Sequence, residues 1–422
     1  MGQELGATHL IEGSVRKTGN RLRITAQLIK TDDGTHIWAE SYDRDLTDIF
    51  AVQEDIATAI AGALRMPLGL KPGENLVNNR KIDPDSYDKF LRGKALYQSR
   101  GGAGNPASPP DFLAAASLLE QVVAKNPSYA PAWRYIGATY SFEAAIHAQN
   151  PNETLEQSQA LITELRDKGE AAEQRALQLD SSLADAYEIL GAFKWSRGKL
   201  AEGDELMARS VALDGESAEG LSGYSIRLGA AGRSKEAGVL MEKANALEPL
   251  IPLNAIQTAA FRWVNGDESG AIALVKTGRP FNRARLLAEI YATEGNFSAA
   301  TEALNEIAGT PGSPAAQAVQ LLRRAPARVA PQNLPVLPGP FQFVYAYVGA
   351  PERLIDVYQR EVDAGFIWGG DWFRVWHPSR AATRKTPQFK TLMQRAGFVD
   401  YWRAKGWPPQ CHPTTGDDFE CN

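Results

Sequence analysis

The sequence predicts a mainly α-helical chain: an α-solenoid of paired helices, preceded by a small antiparallel β-meander plus helix and followed by an aromatic-rich helical cap. Three observations carry this. Gly198, Gly232 and Gly266 stand 34 residues apart, each between two amphipathic stretches. Residues 8 to 43 alternate with period two instead. Five of the nine tryptophans crowd between Trp368 and Trp407, beyond the last repeat.

The amino-terminal pattern comes first. His9 to Lys17 alternates, Gly19-Asn20 makes a turn, Leu22, Ile24, Ala26 and Leu28 continue the alternation, and Asp32-Asp33-Gly34 turns into His36 to Tyr42. That is a three-stranded meander. A helix is expected from about Leu46 to Leu64, with Ile49, Val52, Ile56 and Ile60 on one face. Proline and glycine between Leu68 and Lys81 read as a linker. The expected division is 1–66, a linker at 67–83, the helical array at 84–314 and a capping region at 315–422.

In the array, large residues recur at i, i+3 and i+7 and form one apolar stripe per helix. Small residues such as Gly137, Gly191 and Ser225 mark close approach of paired helices. Pro127, Ser181, Gly215 and Pro249 end successive units. The register, with Trp133, Ile136, Gly137 and Tyr140, then Tyr187, Leu190 and Gly191, then Leu221, Tyr224 and Ser225, resembles the tetratricopeptide repeat, whose period is 34 residues. About six hairpins are expected. The register implies an insert between Tyr140 and Ala176, a Gly/Pro break at 101–110 and a shortened second helix near Gly278.

The segment from Leu10 to Ile60, through Glu12-Gly13-Ser14-Val15, Thr25-Ala26-Gln27-Leu28 and Trp38-Ala39-Glu40, resembles the second half of a TolB-like domain. The resemblance implies further strands ahead of it. It also implies kinship with bacterial systems in which this domain and the repeats follow a class III adenylate/guanylate cyclase or a winged-helix regulator. Without those strands, the strand near His9 to Arg16 is an open edge, expected to pair with a second chain or to be partly disordered. The end of the chain, through Trp376-His377-Pro378 and Gly406-Trp407-Pro408, resembles the carboxy-terminal end of the same proteins. It reads as a cap on the last hairpin or as an aromatic pocket around Trp372, Trp376 and His377.

The repeat resemblance also supplies binding positions. Groove positions of each first helix fall on Arg134, Ala138 and Phe142, on Glu188, Ala192 and Trp195, on Ser222 and Ile226, and on Ile256, Ala260 and Trp263. Trp195 and Trp263 hold the same position two repeats apart. Either they anchor a protein or peptide in the concave face, or they pack against neighbouring helices. The pattern lacks the Lys and Asn of a carboxylate clamp.

Composition excludes much else. Net charge is −5 with no basic stripe, which argues against nucleic acid. No apolar run reaches membrane-span length. The opening MGQELGATHL has no signal-peptide pattern. The expected compartment is therefore cytoplasmic, or periplasm-facing within a longer anchored protein. The five histidines show no metal-ligand spacing, and no phosphate loop or nucleophile elbow is present, so neither metal, cofactor nor catalysis is expected. Cys411 and Cys421 form a disulfide in an oxidising compartment or remain two free thiols. Two function classes follow: a non-catalytic interaction scaffold, or the regulatory half of a cyclase or transcription-regulator system.

Overall fold

The computed structural model describes residues 7–45, 49–64, 82–98, 111–150, 152–249, 251–276, 280–416 and 418–422. The linker at 68–81, the break at 101–110, Pro151 and Gly278 lie outside them. The chain divides into two compact units, residues 1–92 with 121–129, and residues 93–120 with 130–422.

In the first unit, β1 (His9–Thr18), β2 (Arg21–Lys30) and β3 (His36–Asp45) form an antiparallel sheet in the order β1-β2-β3. The alternation works as the pleat requires. Leu22, Ile24, Ala26 and Leu28 are buried on one face while their neighbours in β2 are more open. Helix α1 (Ile49–Ala63) lays Val52 and Ile56 against Leu22, Ile24 and Tyr42.

Twelve further helices form six hairpins: α2 (Pro84–Gln98) with α3 (Phe112–Lys125), α4 (Ala130–Gln149) with α5 (Leu155–Leu179), α6 (Ala184–Ser196) with α7 (Leu200–Leu213), α8 (Ala218–Ala230) with α9 (Ser234–Leu247), α10 (Pro252–Val264) with α11 (Glu268–Val275), and α12 (Pro280–Thr293) with α13 (Phe297–Asn305). The evenly spaced glycines sit at the turns inside the hairpins with left-handed backbone, φ +77° at Gly198, +86° at Gly232 and +93° at Gly266. A side chain is strained there, which is why glycine recurs. Gly191 lets α6 and α7 touch: a Cβ at that position would fall 2.8 Å from the Gly203 carbonyl oxygen.

The irregular units have simple causes. The insert after Tyr140 is helical: α4 has 20 residues and α5 has 25, against 13 for α6 and 14 for α7. Thr154 and Gln157 close a capping box that starts α5. Helix α11 is cut to eight residues.

Beyond α13, α14 (Pro314–Leu322) packs on α13, a 3-10 turn at Gly339–Tyr347 packs on α12 and α14, and a second 3-10 turn at Pro351–Ile355 packs on the first. The remainder departs from a terminal cap. Helix α15 (Asp356–Ala364) returns to α4 and α5, and a 3-10 turn at Trp372–Trp376 lies on α8 and α10. Short helices α16 (Ala381–Arg384), α17 (Pro387–Arg395) and α18 (Phe398–Lys405) follow, and α18 packs on α7. The chain ends in a hairpin of β4 (Cys411–Pro413) and β5 (Phe419–Cys421), in which Cys411 and Cys421 are disulfide-bonded.

Candidate binding face

The first helices of the hairpins present the residues that sequence reasoning assigned to a groove. They are not open. Trp195 and Trp263 are fully buried, and Arg134, Ala138, Glu188, Ser222, Ile226 and Ile256 are each no more than 9% exposed. What covers much of this face is the chain's own carboxy-terminal segment. Phe398 and Tyr401 stand edge-on to Trp195 at 5.9 and 5.7 Å, and His377 stacks on Trp263 at 4.2 Å. The tryptophans are interior residues of a filled face, because a tail of 100 residues beyond α14 supplies the apolar surface a partner would otherwise bring.

The tail is held as a polypeptide ligand would be, through main chain and side chains together. The Ile367 amide donates to the Ser196 carbonyl at 3.1 Å. The indoles of Trp376 and Trp402 donate to the carbonyls of Ala230 and Ala231 at 3.1 and 2.9 Å. Those carbonyls lie at the end of α8, where helix C-termini leave acceptors unpaired. Phe373 stacks on Phe261 at 4.1 Å, and Trp368 meets Phe142 at 4.9 Å while Arg227 lies over its ring. Gly232 has no side chain because Pro408 and Trp376 occupy that space.

Three charged groups fix the register. Glu289 of α12, 3% exposed, receives Arg374 at 2.7 Å and Arg380 at 2.9 Å. Arg285, one turn earlier, donates to Asp371 at 3.0 Å, and Arg374 reaches the same carboxylate at 2.9 Å. Burial works against the Asp371 anion, but the two guanidinium groups outweigh it and hold its carboxyl well below the usual range. At the other end, Glu361 of α15 accepts from the Gln149 side chain at 2.7 Å, the Trp368 amide at 2.9 Å and the Trp372 indole at 3.0 Å. Burial nevertheless pushes its carboxyl up to about 7.

The amino-terminal part of the face is polar. Arg134 bridges Glu219 at 2.9 Å and Asp185 at 3.3 Å, linking three successive hairpins. Glu219 also accepts from the Tyr97 hydroxyl. Burial raises the Glu188 carboxyl to about 7, with Arg227 at 3.8 Å opposing. A cleft of about 260 Å³ opens here, lined by Pro131, Arg134, Tyr135, Leu183, Asp185 and Asp214.

The aromatic pocket expected around Trp372, Trp376 and His377 is filled. Trp372 packs on Tyr358 and Phe398, Trp376 on Phe389 and Trp402, and burial followed by Arg380 holds His377 down to about 4. Sequence reasoning missed Arg285 and Glu289. Gly295 aligns with Gly198, and carrying the groove positions into this last hairpin lands on both residues. Glu361 carried no repeat signal. Among the described residues no group of three or more His, Cys, Asp or Glu is placed to hold a metal ion, and no helix is long and apolar enough to cross a membrane.

The chain carries a tetratricopeptide-type helical array. No family model matches it. A putative adenylate cyclase 3 of Rhizobium meliloti (strain 1021) is 45% identical over 94 residues, which are 22% of this chain and 16% of that protein. The chain thus spans a minor part of the relative's length. Among solved structures, PilW, a type IV pilus biogenesis factor, aligns over 56% of this chain and 98% of its own, with 17% identity and a TM-score of 0.40. A tetratricopeptide repeat protein of Parabacteroides merdae aligns over 56% and 99%, with 14% identity and a TM-score of 0.31.

Proposed function

We propose that this chain is a non-catalytic protein-interaction module, and that its binding face is the inner face of the array, where the carboxy-terminal segment is now the occupant. One observation carries the reading: the face already holds an aromatic and arginine-bearing polypeptide, residues 366–380, through carbonyls at helix ends and the paired acid at Glu289. Solenoids use such surfaces to hold other chains. A partner engaging this face competes with the tail, so binding and release of the tail are one equilibrium.

The test is a pull-down from the native host with the full chain as bait, then hydrogen exchange on the purified complex. The expected result is a protein partner whose binding speeds exchange of the Ile367 amide while the first helices stay protected. A partner that leaves tail exchange unchanged refutes the inner-face assignment. Turnover of a small substrate by the chain alone refutes the non-catalytic reading.

The similarity to a putative adenylate cyclase favours a second reading, in which the chain is the regulatory half of a cyclase or transcription-regulator system. Co-expression with a class III cyclase of the same host should then change cyclic-nucleotide output. Unchanged output over a range of chain concentrations removes this reading.

A further inference from the structure

The hairpin of β4 and β5 has little of its own to hold it. Three residue pairs face each other, Cys411 with Cys421, His412 with Glu420 and Pro413 with Phe419. Pro413 has no amide hydrogen to give to the ladder, and a ribbon of two short strands is marginal in water. Glu420 lies 4.0 Å from His412 with both side chains mostly in solvent, and Lys390 meets Asp418 at 2.7 Å, again at the surface. Such pairs stabilise little. The covalent tie is the disulfide between Cys411 and Cys421, the two cysteines of the chain.

That hairpin backs the part of the tail that grips the array. Phe419 is 1% exposed, and its ring centre lies 5.5 Å from Trp402 and 5.8 Å from Trp407. Trp402 stands edge-on to Trp376 at 5.9 Å. These are the two indoles that donate to the Ala231 and Ala230 carbonyls at the end of α8. Just ahead of β4, the Gln410 side chain donates to the Trp376 carbonyl at 3.2 Å, and Pro408 fills the space left at Gly232. The disulfide therefore closes a hairpin that sits one ring layer behind the contacts with the inner face. With the hairpin opened, Phe419 leaves Trp402, and both indoles lose packing that aims them at the helix end.

We propose that the Cys411–Cys421 disulfide is a redox latch on the inner face: oxidised, it holds the tail on the array, and reduced, it lets the tail leave for a partner. The reductant is a dithiol. Cys421 is partly exposed and Cys411 is buried, so a thiolate of the dithiol attacks the Cys421 sulfur. The S–S bond breaks, and Cys411 departs as a thiolate that takes up a proton. The second thiol of the reductant then attacks its own partner sulfur in the mixed disulfide, releasing Cys421 as a thiol and closing the reductant's disulfide. The chain gains two electrons and two protons, and the dithiol loses them. A reducing compartment opens the face and an oxidising one keeps it filled. As regulation of a binding face this rests on the inner-face reading; the coupling of the disulfide to the tail does not.

The experiment is hydrogen exchange of the full chain, oxidised and with dithiothreitol, at matched pH, with thiol titration to fix each state. In the reduced chain, exchange should quicken by about tenfold or more across residues 366–421, with the first helices α6, α8 and α10 unchanged. The double variant Cys411→Ser with Cys421→Ser should exchange as the reduced chain does and ignore dithiothreitol. Should that variant fail to fold, the native chain under dithiothreitol still decides the matter, since it holds no other cysteine. Equal exchange in the two states overturns the proposal. So does faster exchange confined to residues 411–421, because the effect then ends at the hairpin, and so do thiols that stay free in an oxidising buffer. A partner that binds without moving the tail refutes the inner-face reading alone, whereas unchanged exchange on reduction refutes the latch alone.

Discussion

Replacing Glu289 by Gln tests whether the tail is held on the array by charge as well as by apolar area. Among the described residues the carboxylate is the one acid within salt-bridge distance of Arg380, whose side chain is fully buried, and it shares Arg374 with Asp371. The amide keeps the shape and can accept one hydrogen bond, but it leaves the Arg380 cation buried without a counter-charge. Arg374 keeps Asp371 at 2.9 Å, so a single ion is orphaned. Breaking one side of a buried pair costs about 3–5 kcal/mol. Urea unfolding followed by tryptophan fluorescence reads this directly, since Trp372, Trp376 and Trp402 are all buried with the tail. The companion variant Glu289→Gln with Arg380→Gln removes both charges and should recover most of the loss. A single variant costing under about 1 kcal/mol, or a double variant worse than the single, would refute the reasoning.

Three further outcomes follow from the same geometry. Trp195→Ala, at a site with no exposure and with Phe398 and Tyr401 on the ring, should cost about 3–5 kcal/mol in chemical unfolding; near-wild-type stability would mean the ring faces an open groove. Gly191→Leu should cost about 1–3 kcal/mol or more, since its Cβ alone meets the Gly203 carbonyl oxygen at 2.8 Å and Met207 Cγ at 2.9 Å; an unshifted melting curve would contradict the helix contact. Glu188 and Glu361 are pushed to about 7 from an ordinary 4.5, so the fold favours their neutral forms. Their contribution is complete below 4.5 and lost as pH rises through 7. His377, held near 4 against 6.5, acts in the opposite sense, its contribution complete above 6.5 and lost as pH falls toward 4. Between pH 6.5 and about 8 the carboxyls dominate, so melting temperature should fall with rising pH, and Glu361→Gln should flatten that slope. A slope identical to wild type would remove Glu361 from the account.

The repeats were legible because their constraints are local. A left-handed turn needs glycine at Gly198, Gly232 and Gly266, and close helix contact needs a small residue at Gly191. The meander was legible from the alternation of β2 for the same reason. What fills the inner face was not. The tail's anchors join Trp376 to Ala230 and Trp402 to Ala231, 146 and 171 residues apart. Its own elements are 3-10 turns and helices of four to nine residues, too short to show a period. The register showed that an insert lies between Tyr140 and Ala176 but not its form: the added residues lengthen two helices, and Thr154 with Gln157 caps the second. Extending the groove positions one hairpin further would have found Arg285 and Glu289; nothing in the sequence marks Glu361.

The charges on the inner face also limit what can displace the tail. Glu289 is buried against Arg374 and Arg380, and Arg285 against Asp371. A competing segment made of apolar residues alone would strand Glu289 and Arg285, each at a cost of several kcal/mol. Aromatic area could not easily recover that, since it is already present in the tail. A successful competitor therefore carries cations to Glu289 and an acid to Arg285, beside rings that can stack on Phe261 and Trp263. On the reading proposed above, selectivity of this face comes from those charges more than from the tryptophans, because stacking surfaces accept many partners and a buried ion accepts few.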